Sequence, residues 1–250
     1  MKDLAEQTHL AAQYLAAAGI SFLTKKPDDS HTNLGFIADS GEVETHPLSE
    51  HNDKLILNYN TFSLEWKSNT EKIAFKLDGA THSEVLQWLS KTSKAQLNKV
   101  YNYNLHYDMP YAINEDSKFS LSNASTLKEL MHLRILAQFI IEEIDQYYNL
   151  NTSIRIWPHH FDTGLYDAVP GTDISVGLGL AIPDSVCNEH YLYITGYKDG
   201  KAMDTSGFDK LSKGEWKSSG FTGAILNTKG LVESDGINFF KEAINQFINH

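Results

Sequence analysis

The chain has 250 residues, of which 41% are hydrophobic and 21% charged, and its net charge is −11. This length buries a sizeable core without disulfides or structural metal. The acidic balance, with no run of Lys or Arg, disfavours nucleic acid and anionic membrane surfaces as partners, because both need a concentrated basic face. The single cysteine, Cys187, excludes an intramolecular disulfide and fits a reducing, cytoplasmic setting. No stretch reaches the ~20 apolar residues of a membrane span. The acidic Asp3 and Glu6 do not suit the basic start of an export signal.

The first helix is expected over 4–18. Leu4, Leu10, Ala11, Tyr14, Leu15 and Ala18 fall on one face, and Gly19 is a stop. A polar, turn-rich segment, 25–33, follows. Alternating Phe62, Leu64 and Trp66, a turn at 67–70, and then Ile73, Phe75 and Leu77 predict an antiparallel hairpin with one apolar and one solvated face. Leu55, Leu57 and Tyr59 predict a third strand.

Thr81-His82-Ser83-Glu84 has the spacing of a capping box, and Ser93 to Gln96 repeats it for a shorter helix. The polar and aromatic segment 102–125 has no period and reads as an irregular loop. A capped helix follows over 126–148. Its apolar residues, among them Leu130, Leu136, Ile140 and Ile144, cover more than one face, which predicts a central, heavily buried element.

The remainder reads as strands at 153–157, 160–165, 174–182, 191–196 and 222–226, with a closing helix from about Ser234. Helices that flank groups of strands without strict alternation predict an α+β fold with mainly antiparallel sheet. No linker separates the halves. One compact domain is expected over 1–250, with 1–122 and 123–250 as structurally similar sub-halves.

Chemistry concentrates in Trp157-Pro158-His159-His160-Phe161-Asp162 and in the glycine-spaced run Ser175-Val176-Gly177-Leu178-Gly179. On a continuous strand, His160 and Asp162 share a face. Gly177 and Gly179 share a face of their own strand and leave room for a ligand. This composes a polar pocket in which His160 is a general base, Asp162 its orienting partner and Glu189 a second acid, suited to hydrolysis or proton transfer on a small polar molecule. A second reading is a non-catalytic ligand-binding module, with Trp157, Tyr191, Tyr193 and Trp216 lining a groove. A third is an acidic protein-interaction domain.

The loop 183–190 adds Asp184, and the segment 28–35 adds His31 and Asn33, as further pocket candidates. Each also reads as a self-bonded turn. A divalent metal has weak support, since no HExxH and no His pair at helical spacing is present. The pattern supplies neither a cofactor nor an oligomeric state. The His160–Asp162 pair itself remains open between a site and a buried structural hydrogen bond.

In these same segments the chain resembles a group of uncharacterised bacterial proteins. The shared pattern is Asp28 to Gly35, Trp157 to Asp162, Gly177 to Asp184, Glu189-His190-Tyr191-Leu192-Tyr193, Trp216, and Gly220 to Leu226. Members of that group carry histidines beside the tryptophan, where this chain has Glu215 and Lys217. The resemblance implies one contiguous domain and a bacterial source, and it names no chemistry.

Overall fold

The apolar periodicities resolve into four helices and twelve strands in a computed structural model that describes residues 2–250. In chain order these are α1 (Lys2–Phe22), β1 (Gly35–Ile37), β2 (Glu42–Glu44), β3 (Lys54–Asn58), β4 (Ser63–Lys67), β5 (Lys72–Lys76), α2 (His82–Leu97), α3 (Ala124–Tyr148), β6 (Arg155–Trp157), β7 (Asp162–Ala168), β8 (Ile174–Ala181), β9 (Tyr191–Lys198), β10 (Lys201–Ala202), β11 (Glu215–Ser219), β12 (Phe221–Asn227) and α4 (Glu233–Asn249). The fold is α+β, with antiparallel sheets flanked by helices, as the pattern predicts. No described helix is long and apolar enough to cross a membrane.

The chain divides into two compact units, residues 1–132 with 156–161, and residues 133–155 with 162–250. In both, a helix precedes an antiparallel sheet and a second helix follows it. The division falls inside α3 and at 161/162, not at 122/123.

In the first unit the sheet is a meander in the order β1-β2-β3-β4-β5. Its hairpin is antiparallel as expected, with Leu64 opposite Phe75 and Trp66 opposite Ile73. Leu55, Leu57, Leu64 and Trp66 are fully buried, and Phe22 of α1 packs edge-on against Trp66 at 6.2 Å. The other face is not solvated as the alternation suggests. Ser63 and Glu65 are buried on it beside Glu42 and Asn58, and Lys72 makes ion pairs with both Glu42 and Glu65. Pairing of this kind is what lets carboxylates leave water.

Two helix expectations change. Gly19 does not end α1, which continues to Phe22. It lies where a Cβ would come within 2.7 Å of the His31 carbonyl oxygen, so the glycine serves a close backbone approach. Ser93 does not start a new helix but sits inside α2, its hydroxyl bonded back to the Ser90 carbonyl. The Thr81 capping box is present as read, with its hydroxyl accepting from the Glu84 amide.

In the second unit the strands pair in the order β11-β12-β9-β8-β7, with β10 on β9. One face packs on α4 and the latter part of α3. Ile140, Ile141, Ile144, Val176, Leu178, Leu180, Ile194, Phe240, Ile244 and Phe247 form its core. Gly196 makes room on this face, since a Cβ there would meet the Phe247 ring at 2.2 Å.

The helix α3 begins on Asn123, whose side-chain oxygen takes the Ser125 and Thr126 amides, so Thr126 is not the cap. α3 is less thoroughly buried than α1. It exposes Phe139 and Tyr147 and leaves Leu136 partly buried, whereas every residue of α1 from Thr8 to Ala18 is buried. Alanines pack on all sides of α1, and a pattern read from large apolar residues passes over them.

Candidate functional site

The segment from Trp157 to Asp162 is not one strand. After β6 the chain turns at 158–161, with the Phe161 amide bonded to the Trp157 carbonyl at 2.6 Å. Phe161 adopts a left-handed conformation, φ 58°, uncommon for a residue with a side chain. Strand alternation therefore starts only at Asp162, and the shared face expected for His160 and Asp162 does not form. His160 is exposed in the turn and Asp162 is half-buried on β7. The two also belong to different units.

The turn is held by residues that sequence reading passed over. His9 and Gln13, one helical turn apart on α1, both reach the Pro158 carbonyl at 2.8 Å. The His9 ring stacks on Phe161 at 5.1 Å. Gln13 accepts from the Tyr107 hydroxyl at 2.6 Å, and Tyr111 pairs with His9 Nδ1. With a proton on Nε2 the His9 ring donates to the Pro158 carbonyl, and Nδ1 is left to accept from Tyr111. The visible clue in the sequence was a polar pair at helical spacing inside an apolar helix.

His31 and Asn33 lie in the same unit as Trp157 and His160. Leu34 and Ile156 exchange both backbone hydrogen bonds at 2.8 Å, which ties the two motif segments together. The loop itself is self-bonded, as its turn reading anticipates. Thr32 donates twice to the Asp29 carbonyl, and His46 bonds the Ser30 carbonyl and Asn33 Oδ1. His31 is buried, and that burial lowers its pKa below the ordinary histidine value.

In the second unit the carboxylate of Asp162 is met by a tyrosine. The Tyr193 hydroxyl donates to Asp162 Oδ2 at 2.5 Å. Burial, with the Asp162 charge added, raises the Tyr193 pKa well above that of free tyrosine, so the phenol keeps its proton. The register explains the reach. Gly164, Gly179 and Tyr193 stand in one row across β7, β8 and β9, and the Tyr193 side chain crosses over the two glycines. A Cβ on either would come within 2.9 Å of its hydroxyl oxygen.

Gly177, two residues back on the same face, is different. A Cβ there would meet only the ring edges of Tyr166 and Tyr197, at 3.5 and 3.6 Å. Those rings pack edge-on at 5.5 Å, and Tyr166 is 58% exposed. The face thus runs from a tight backbone crossing at Gly179 to a tyrosine pair over Gly177. Tyr166, Tyr197 and Gly164 were legible only as members of a period-two pattern whose register the sequence does not state.

The other expected residues scatter. Tyr191 is buried, and its hydroxyl donates to Asp184 Oδ2 at 2.9 Å. Asp184 also accepts the Val186 and Cys187 amides, so it closes its own turn. Glu189 is exposed in the loop before β9. Trp216 lies on the opposite face from Tyr193. It pairs with Ala224, which pairs with Ile194 of the core side, and its ring packs on Phe208 and Phe247. It therefore cannot share a groove with Tyr193. Among the described residues no group of three or more His, Cys, Asp or Glu is placed to hold a metal ion.

Compared with protein-family models, curated proteins and solved structures, the chain matches none.

Proposed function

We propose that the protein binds a small, ring-bearing polar molecule on the outer face of β7, β8 and β9. The observation that carries this reading is the exposed Tyr166 ring, packed edge-on with Tyr197 over Gly177 on the same face as the Asp162–Tyr193 hydrogen bond. Tyrosine rings offer flat apolar contact, and a hydroxyl at the edge, to a sugar or other ring. The chain's charge of −11 favours a neutral or cationic ligand over an anion. The acid–base alternative needs His160 and Asp162 to act as a pair. The Tyr193 contact at 2.5 Å already engages one oxygen of that carboxylate.

The test uses thermal denaturation against a panel of sugars, polyols, amino acids and amines, because a ligand of the folded state raises Tm by mass action. Gly177→Val sets a Cβ in ordinary contact with the Tyr166 and Tyr197 rings and its γ-methyls against them, displacing the tyrosine pair in a strand that suits valine. It is expected to abolish the stabilisation given by any hit, whereas His160→Ala is expected to keep it. A hit whose stabilisation survives Gly177→Val but is lost in His160→Ala would overturn the binding reading in favour of a site at the turn.

A further inference from the structure

The longest stretch of the first unit without helix or strand is 98–123. Ordered segments of this length are uncommon in a compact unit, and most are lids or binding loops. Both ends of this one are tied through the backbone. At one end, Ser21 Oγ accepts the Asn102 amide at 2.9 Å and donates to the Asn102 carbonyl at 3.1 Å. At the other, the Ser83 amide bonds the Glu115 carbonyl, the His82 amide the Ser117 carbonyl and the Phe119 amide the Ala80 carbonyl. Between these posts, residues 103–113 make no backbone hydrogen bond to another described residue.

Side chains hold the span. It alternates as an extended chain does, the odd-numbered residues from Tyr103 to Ile113 half-buried and the even-numbered ones between them exposed. The Tyr103 ring packs on Tyr14 at 5.3 Å and on His82 at 5.0 Å. The Tyr107 hydroxyl donates to Gln13 Oε1 at 2.6 Å, and Tyr111 pairs with His9 Nδ1. On the outer side, His106 Nε2 lies 3.2 Å from the Asp29 carboxylate. The same His9 and Gln13 hold the Pro158 carbonyl, and the Tyr107 ring lies 5.7 Å from that of His159. The span therefore lies against both α1 and the turn that follows Trp157.

We propose that residues 103–113 are a lid, which swings out about its two posts while the first unit stays folded and gives polar solutes access to His9, Gln13 and the turn at 158–159. Opening breaks no backbone hydrogen bond of the span. The tyrosine hydroxyls exchange a protein partner for water, a trade with a small net cost. The inward side chains are already partly in water, so little more apolar surface is exposed. What the lid uncovers is polar. His9 and Gln13 are buried beneath it, and both can bond water or a polar solute once the tyrosines leave. Segments that open by themselves are drawn from such weakly bonded parts of a fold. The inference does not depend on the ligand face of the second unit.

The test is limited proteolysis of the full-length chain with chymotrypsin, with the cuts mapped by mass spectrometry. Cleavage tracks the open population when reclosing is fast. Cuts are expected after Tyr103, Tyr107 or Tyr111, at a rate that urea leaves unchanged below the unfolding transition, because the opening exposes little surface. Tyr107→Phe with Tyr111→Phe keeps both cleavable positions and removes only the hydroxyls, and it is expected to speed cutting about tenfold. Modification of His9 by diethyl pyrocarbonate is read in Tyr107→Phe alone, because that hydroxyl bonds Gln13 and not His9. It is expected to rise severalfold. A cutting rate that follows global unfolding in urea would overturn the proposal, and this measurement needs no variant should the double one fail to fold. Equal cutting of the native chain and the double variant would overturn it as well, since a static exposed loop behaves so. So would faster cutting with no change at His9, which would mean that the span covers nothing.

Discussion

The Tyr193 hydroxyl reaches Asp162 two strands away because Gly179 and Gly164 leave nothing between them. The glycine-spaced strand is thus explained in two different ways within two residues. Gly179 is needed by packing, while nothing in the packing requires Gly177.

That difference is measurable. Gly179→Ala sets a Cβ 2.3 Å from the Thr163 carbonyl oxygen and 2.9 Å from the Gly164 Cα, both backbone atoms that cannot give way singly. It is expected to cost about 2 kcal/mol or more in urea denaturation, in the range of overpacked cores. Gly177→Ala meets only ordinary contacts and is expected to be neutral or stabilising by up to about 1 kcal/mol. Equal costs at the two positions would show that β7 and β8 do not approach as closely at Gly179 as described.

A second expectation concerns α1. Glycine to alanine inside a helix ordinarily gains about 1 kcal/mol. At Gly19 the added Cβ would lie 2.7 Å from the His31 carbonyl oxygen and 3.2 Å from the Thr32 Cα. Gly19→Ala is therefore expected to destabilise, reversing the sign that helix propensity predicts. Chemical denaturation of this one variant checks it, and a gain in midpoint would mean that the loop at His31 is not packed against the helix.

The third expectation is a pH dependence. His190 is buried beside Arg134, and burial first, with the neighbouring cation second, lowers its pKa to about 4. An unfolded histidine titrates near 6.5. Between these values the unfolded chain binds the extra proton, so stability falls as pH drops below about 6.5 and the loss is complete only near 4. The full effect is on the order of 3 kcal/mol. Burial also holds the pKa of His82 down, as it does that of His31, and both act in the same direction. Denaturation midpoints of the native chain and of His190→Gln at pH 7 and pH 5 should differ less for the variant. The same pH sensitivity in both would remove His190 as a source.

Much of the fold was written locally. The Thr81 capping box, the alternation of the β4–β5 hairpin and the apolar residues of α3 each act within a few residues of chain, so their elements lie close to where the pattern puts them. Boundaries moved where a distant partner intervened. Gly19 reads as a stop until His31 is known to lie against it.

The candidate site was legible as a list of residues but not as an arrangement. Sequence fixes that His160 and Asp162 are two apart, and alternation puts such residues on one face only if the backbone stays extended. The left-handed Phe161, held by its stack on His9 and by the hydrogen bonds of His9 and Gln13 to Pro158, breaks that condition. These partners come from well over a hundred residues away in the chain, and no local preference encodes them. Register decided the rest. Tyr193 and Trp216 both belong to strands, but the pairings through Ile194 and Ala224 put them on opposite faces. The sequence by itself determined which segments are helix and strand and which residues carry chemistry, because those depend on spacing along the chain. Only the tertiary structure decided which of these residues meet, because that depends on strand order, register and the contacts that fix each turn.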